Sequence, residues 1–213
     1  MTVYIEKPSV NLREELASLR NQGGYQEQQF YFDSLVTNGT FDADTDWTKG
    51  TGWTIGSGVA TKSAGTASDL YQLLTLEVGK TYAVTYTVSG YSAGQVLPSF
   101  TGGTTVSGTA RTANGTYTDL LTASPGSNRF NIYGNSTFVG SVDNISIFET
   151  DGTDVVHRLP KGWKPKDVFE DGLLQREGAA HDYEVVYDGF DYYVKPAVAP
   201  SATTQTCVIG VKA

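Results

Sequence analysis

Aspartates at alternate positions in DADTDWT, residues 42–48, are the first side chains whose type and spacing could do chemistry. Asp42, Asp44 and Asp46 are spaced as at the start of a calcium loop, and Ca²⁺ takes about six to eight oxygen ligands. The EF-hand pattern fails, because tryptophans stand where that motif needs its glycine and its bidentate glutamate. A calcium-binding loop and a solvated acidic turn are therefore both open interpretations.

Aromatic residues beside polar ones could form a saccharide site. Such sites use flat aromatic faces with hydrogen-bonding groups next to them. The alternative is that the aromatic residues of this region simply form a hydrophobic core, above all Trp53 and Phe130. The predicted carbohydrate-binding residues are Tyr91, Tyr133 and Trp47, with Asn131 and Arg111 as polar partners.

Catalytic chemistry has no comparable candidates. His157 and His181 are far apart in sequence, with no cysteine or further histidine at ligand spacing, so we expect both at the surface. No nucleophile motif, phosphate loop or pair of cleft carboxylates is evident. We therefore predict that the protein is not an enzyme, has no catalytic residues, and needs no cofactor other than a structural calcium in the acidic loop.

The composition disfavours several classes of protein. The 213 residues carry a net charge of −8, which argues against nucleic-acid binding because that function needs a basic patch. No segment approaches the roughly 20 apolar residues of a membrane helix, and the N-terminus lacks a secretory signal. We therefore expect folding inside a cell, with no nucleic-acid or membrane partner.

The elements that would position these residues fall into three regions, and leucines at helical spacing mark the first, residues 1–33. A capping box begins a helix predicted over about residues 11–20. Leu12, Leu16 and Leu19 lie on one face of it. Because three leucines cannot hold an isolated helix, we predict that this face is a docking surface for the next domain or a neighbouring protein.

Strand-like runs between turns rich in glycine, asparagine and serine fill the second region, residues 34–149. The run 81–88 alternates tyrosine and valine with threonine and alanine, which is the period of a strand with one buried face. Many such short runs predict a β-sandwich.

The third region, residues 150–213, carries a β-hairpin signal at Asp188-Gly189. A two-residue turn there would pair Tyr187 with Phe190, and residues 158–167, with two prolines, would be a linker or long loop. Because an isolated hairpin is marginal in water, neighbouring runs should cover its apolar face, and the last run, 206–213, should add its open edge to another chain. The predicted assembly residues of this module are Tyr183, Val185, Tyr192, Val194 and Ile209.

Motifs in the second region resemble the jelly-roll carbohydrate-binding modules that are attached to many glycoside hydrolases. The matching stretches are LVTNGTFDADTDWT, LTLEVGKTYAVTYTVSG and SVDNISIFE, in that order. The resemblance implies a calcium site at Asp42 and Asp143. The expected fold is mainly β: a jelly-roll β-sandwich with a short N-terminal helix or arm and a small C-terminal antiparallel β-hairpin domain.

The terminal regions resemble structural proteins of tailed-bacteriophage virions. In the C-terminal region the pattern comprises Val168-Phe169, Gly172-Leu173-Leu174, Asp182-Tyr183, Ala199-Pro200 and Val208-Ile209; KPSVNLREELASLR precedes FYFDSLVTNGTF at the other end. This resemblance implies a capsid decoration or head-fibre protein, assembled in the host cytoplasm, whose terminal segments dock on capsid or tail proteins. We expect a homo-oligomer, with a trimer favoured, whose jelly roll contacts a host-surface glycan. A tail fibre, a tail adaptor and a carbohydrate-binding adhesin are the alternatives.

Overall fold

A computed structural model describes residues 27–212, apart from 153, 154, 172, 176, 179–181, 188, 202 and 203. Within these residues the chain forms seventeen β-strands and no helix, and all strands pair with antiparallel neighbours. The helix predicted over residues 11–20, with Leu12, Leu16 and Leu19, lies outside the described residues. The strands are β1 Glu27–Phe32, β2 Thr48–Lys49, β3 Trp53–Gly56, β4 Val59–Lys62, β5 Ser68–Leu73, β6 Thr81–Ala93, β7 Val96–Thr101, β8 Val106–Ser107, β9 Gly115–Thr122, β10 Arg129–Gly134, β11 Val139–Thr150, β12 His157–Arg158, β13 Trp163–Glu170, β14 Leu173–Leu174, β15 Tyr183–Tyr187, β16 Tyr192–Pro196 and β17 Thr206–Lys212.

Two five-stranded sheets pack face to face into a β-sandwich. We call them the β10 sheet, in the order β2-β5-β10-β7-β8, and the β11 sheet, in the order β3-β4-β11-β6-β9. Their inner faces share one hydrophobic core, in which the rings of Tyr82 and Phe100 meet across the sheets at 5.8 Å. The predicted β-sandwich is therefore present.

Strand β6 shows why the sequence folds this way. Tyr82, Val84, Tyr86 and Val88 are all buried, as their alternation predicts. The threonines between them face outwards and pair with threonines of β9 through hydroxyl hydrogen bonds of 2.8–2.9 Å, at 81–122, 85–118 and 87–116. Such cross-strand pairs stabilise a sheet on its solvent side.

A second, smaller core is built from both ends of the described chain. The sheet β1-β17-β13-β14 packs with the sheet β12-β16-β15, and we call these strands together the terminal module. Its buried residues are Leu159, Val168, Tyr183, Val194 and Val208, with Val185 packed beside them. The prediction that neighbouring runs cover the hairpin's apolar face is thus confirmed.

The prediction that the last strand has an open edge is wrong. Strand β17 lies between β1 and β13 and pairs with both, with Ile209 opposite Gln29 on one side and Asp167 on the other. Tyr183 and Val194, predicted to contact other chains, are buried inside the terminal module instead. The apolar surface that these residues would offer a partner is therefore already covered by the same chain, because the N-terminal run 27–32 returns to complete the sheet.

The hairpin register also differs from the prediction. Tyr187 pairs with Tyr192 and Val185 with Val194, so the described residues 189–191 lie in the connecting loop. Phe190, predicted to pair with Tyr187, lies in this loop and is 84% exposed. A shift of two residues keeps every side chain on its predicted face, because the side-chain period of a strand is two.

Residues 158–167 are not the predicted linker. Strand β13 begins at Trp163 and pairs with β17, with a register irregularity between Pro165 and Asp167. Strand β14 covers the other side of β13 only at Phe169 and Glu170. Proline is tolerated in strands at such bulges and uncovered edges, because its missing N–H is not needed there.

Candidate functional site

The outer face of the β10 sheet carries polar side chains beside aromatic rings. Some of them were predicted from the sequence and others were not. Strand alternation places Phe130 and Ile132 in the core, so Arg129, Asn131 and Tyr133 share the outer face. The antiparallel register then fills the same face from the neighbouring strands. Asn131 lies opposite Tyr71 and Ser99, Tyr133 opposite Asp69 and Leu97, and Arg129 opposite Leu73 and Thr101.

Asn131 is the central residue of this face. Its side chain is fully buried although it points away from the sandwich core. The amide nitrogen donates to Thr101 Oγ1 at 2.8 Å and to Ser99 Oγ at 3.4 Å. The amide oxygen is also buried but accepts no hydrogen bond. A buried acceptor without a partner is costly. Asn131 Oδ1 has no accessible surface, so a ligand hydroxyl could satisfy it only after the side chains that cover it move.

Arg129 and Tyr71 are neighbours of Asn131 on this face, since Arg129 and Asn131 donate to the same Thr101 oxygen and Tyr71 lies opposite Asn131. The Arg129 guanidinium lies over the Tyr71 ring, 4.6 Å from its centre, and its Nε donates to Thr101 Oγ1 at 3.0 Å. Burial raises the pKa of Asp69 above its ordinary value, and the Arg129 charge partly offsets that rise. An amide, a guanidinium and a carboxyl group thus lie beside two tyrosine rings, and these are the groups that bind sugar hydroxyls and sugar faces.

The predicted aromatic residues have different outcomes. Tyr133 is half-buried on this outer face. Tyr91 lies on β6, in the other sheet, where its hydroxyl donates to the Gly94 carbonyl at 3.0 Å and its ring lies beside Phe138. The structure therefore does not bring Tyr91 and Tyr133 together on one face.

Trp47 is not a stacking platform. Its ring is buried against Phe41, with the centroids 5.3 Å apart, and its Nε1 donates to the Asn38 carbonyl at 3.0 Å. Its prediction as a carbohydrate-binding residue is wrong, because the turn at Asn38 folds back over it. Trp53 and Phe130 are core residues, as the alternative interpretation had it.

Sequence reasoning missed Tyr71, Arg129 and Asp69. Alternation along β5 carries the signal, since Leu70 and Gln72 are buried and Asp69 and Tyr71 therefore face outwards. Nothing in the sequence indicates that β5 pairs with β10, because this pairing joins strands about 60 residues apart.

Arg111, predicted as a polar partner for a sugar, is engaged elsewhere. Its Nη2 donates to Asp119 Oδ1 at 2.8 Å, and its guanidinium lies 4.5 Å from the centre of the Tyr117 ring. The Tyr86 hydroxyl donates to the other oxygen of Asp119 at 3.2 Å, and burial raises the pKa of Tyr86. These contacts attach the loop between β8 and β9 to the edge of the sandwich.

Asp42 and Asp143, the two acids of the predicted calcium site, interact electrostatically. Burial raises the pKa of Asp143, the N–H of Asn144 opposes that rise, and the charge of Asp42 adds to it. A bulge in β11 at residues 144 and 145 produces this arrangement. Two carboxylates that repel each other suit a cation, although two residues supply too few oxygens for Ca²⁺ without carbonyls or water.

The loop that carries Asp42 is defined by a close backbone contact. Ile145 N donates to the Gly39 carbonyl at 2.9 Å, and a Cβ on Gly39 would lie 2.0 Å from the Ile145 oxygen. Only glycine fits there, which explains the Asn-Gly-x-Phe pattern. The other predicted acids do not join Asp42: Asp44 forms an ion pair with Lys49, and Asp46 accepts a hydrogen bond from Thr45.

No protein-family model and no curated protein matches the sequence. Among the described residues, no three His, Cys, Asp or Glu side chains are grouped to hold a metal ion. The described part of the chain also contains no helix long and apolar enough to cross a membrane.

Proposed function

We propose that the protein is a non-enzymatic virion structural protein whose sandwich binds a saccharide through the outer face of the β10 sheet. The observation that carries the binding function is the unpaired Oδ1 of Asn131 on the outer face that Tyr71 and Tyr133 share, an oxygen that a ligand would reach by displacing the side chains that cover it. A sugar hydroxyl would donate to this oxygen while a tyrosine covers the ring face. Calcium binding at Asp42 and Asp143 would stabilise the fold, away from the saccharide.

Support for the virion role comes from how the chain ends are used. The terminal module joins strands from both ends of the described chain, β1 and β17, in one sheet with its own core. This arrangement suits a base that docks on capsid or tail proteins and displays the sandwich outwards. The fold of the sandwich is proposed to be a jelly roll, because β6, β9 and β11 of one sheet alternate along the chain with β5, β7 and β10 of the other.

A glycan array is the direct test of saccharide binding. We expect the protein to bind a defined set of glycans, and Asn131→Ala to weaken that binding by about tenfold to a hundredfold, the effect of one lost buried hydrogen bond. A matched control is Asn114→Ala, on the turn before β9, which should bind as the unchanged protein does. No binding to any glycan would refute the saccharide function.

The particle role needs a separate test. We expect the purified protein to incorporate into virions that lack it, and electron microscopy to show density at the head or the tail. A carbohydrate-binding adhesin, the alternative that the β10 face alone supports, would bind glycans in the same array without incorporating into any particle. The oligomeric state measured by gel filtration, with a trimer expected for a head or tail fibre, distinguishes a fibre from a monomeric decoration protein.

A further inference from the structure

The sandwich and the terminal module meet along a seam formed by residues 32–35 and 155–158 against the last residues of β11. Residues 196–201 of the terminal module also lie beside the outer face of β6 and β9. Leu35 N donates to the Ile147 carbonyl at 3.0 Å, and Val156 N donates to the Glu149 carbonyl at 2.8 Å. The two hydrophobic cores lie on either side of this seam and share no residue. Opening the seam would expose Phe148, Val155 and Val156, which are buried there and belong to neither core.

His157 lies in this seam, contrary to its predicted surface position. Its ring stacks on Phe32 of β1, with centroids 4.9 Å apart, and meets Phe148 of β11 edge-on at 6.0 Å. The side chain is 2% exposed, and its Nε2 is buried without a hydrogen-bond partner. One titratable ring thus joins an aromatic residue of each module, in surroundings that suit only the neutral imidazole.

Glu149, a carboxylate near this ring, already pairs with two cationic side chains. A cavity of about 600 Å³ adjoins the seam, and Glu149 on its wall is already paired with Lys80 and Arg158, each at 3.2 Å. Burial lowers the pKa of His157 to about 4, from an ordinary value of 6.5. The charged residues that line the cavity are Asp33, Glu77, Glu149, Arg158, Lys161 and Asp191.

We propose that the seam is an acid-sensitive joint, in which protonation of His157 separates the terminal module from the sandwich while both modules stay folded. An imidazolium between two phenylalanine rings is desolvated and has no hydrogen-bond acceptor at Nε2, and exposure to water relieves both penalties. The proposal does not depend on saccharide binding. It gives the protein a defined response to an acidic compartment.

The sign and size of the response follow from linkage. The closed seam keeps its full stability above pH 6.5 and loses it as the pH falls towards 4, because the open form binds the proton more tightly. Between pH 7.5 and 4.5 the equilibrium constant for opening should rise roughly 70-fold.

Hydrogen exchange measured by mass spectrometry tests this joint. Amide protection factors of Leu35 and Val156, whose N–H groups donate across the seam, should fall by roughly 70-fold between pH 7.5 and 4.5, while those of β10 stay unchanged. His157→Phe keeps an aromatic ring in the stack and cannot take up a proton, so its seam should stay closed at pH 4.5. Glu149→Gln should open with acid as the unchanged protein does, which separates the histidine from the carboxylate.

Two results would overturn the proposal. One is a His157→Phe variant that opens at pH 4.5 as much as the unchanged protein. The other comes from an NMR titration of the unchanged protein, which does not depend on any variant folding. The chain has two histidines, and the His157 signal should stay neutral until the seam opens. A His157 ring that titrates near pH 6.5 with the seam still protected would show that protonation and opening are not coupled.

Discussion

Replacing Asp119 with alanine tests whether the buried ion pair at the sandwich edge holds the β8–β9 loop in place. The Asp119 carboxylate accepts three hydrogen bonds, from Arg111 Nη2 at 2.8 Å, from Thr109 N at 3.1 Å and from the Tyr86 hydroxyl at 3.2 Å. Its side chain is only 8% exposed, so water cannot replace the lost acceptor without a rearrangement. Removing one partner of a buried pair leaves the other charge uncompensated.

The expected loss for Asp119→Ala is about 3 kcal/mol of unfolding free energy, the lower end for breaking a buried pair because Arg111 is partly exposed. For a chain of this length that corresponds to a fall in melting temperature of roughly 6–12 °C. Urea unfolding of Asp119→Ala, Arg111→Met and the double variant would measure the coupling between the two residues. We expect a coupling of about 2 kcal/mol, since a pair replaced together leaves no buried charge.

A loss below about 1 kcal/mol in Asp119→Ala would refute this reasoning, because that is the range of solvent-exposed pairs. A matched control is Asp44→Ala. Asp44 also forms an ion pair, with Lys49, but the Asp44 side chain is 52% exposed. We expect the stability of this variant to change by less than about 0.5 kcal/mol.

Two further predictions concern the loop that opens the sandwich. Calcium should raise the melting temperature of the unchanged protein, and Asp143→Asn should abolish that rise; equal melting curves with calcium and with a chelator would exclude the site. Gly39→Ala should destabilise the sandwich by about 3 kcal/mol, because the new Cβ would lie 2.0 Å from the Ile145 oxygen. Urea unfolding measures it, and Gly56→Ala, with open space around its Cβ, is the control.

Alternation predicted the strands better than it predicted the partners of each strand. The strand 81–88 was predicted with the correct buried face. The run 206–213 was also predicted as a strand, and β17 covers residues 206–212 of it. Its predicted free edge was wrong, since β1 pairs with it across about 180 residues. Local pattern carries the period of a strand and not the identity of its neighbour.

The candidate site could be predicted only in part for the same reason. Asn131 and Tyr133 are two residues apart in one strand, so alternation alone puts them on one face. Tyr71 and Arg129 join them through the pairing of β5 with β10, which no local pattern indicates. Trp47 was misplaced because its burial depends on how the Asn38 turn folds over it.

By itself, the sequence determined the all-β character of the described chain and the buried face of β6. These properties depend on side-chain period, which acts between residues close in sequence. Only the tertiary structure decided that β1 and β17 share one sheet, that position 39 admits only glycine, that Asn131 keeps an unpaired oxygen opposite Tyr71, and that His157 lies between Phe32 and Phe148. Those features depend on contacts between residues far apart in the chain, and their burial follows from the packing of whole sheets.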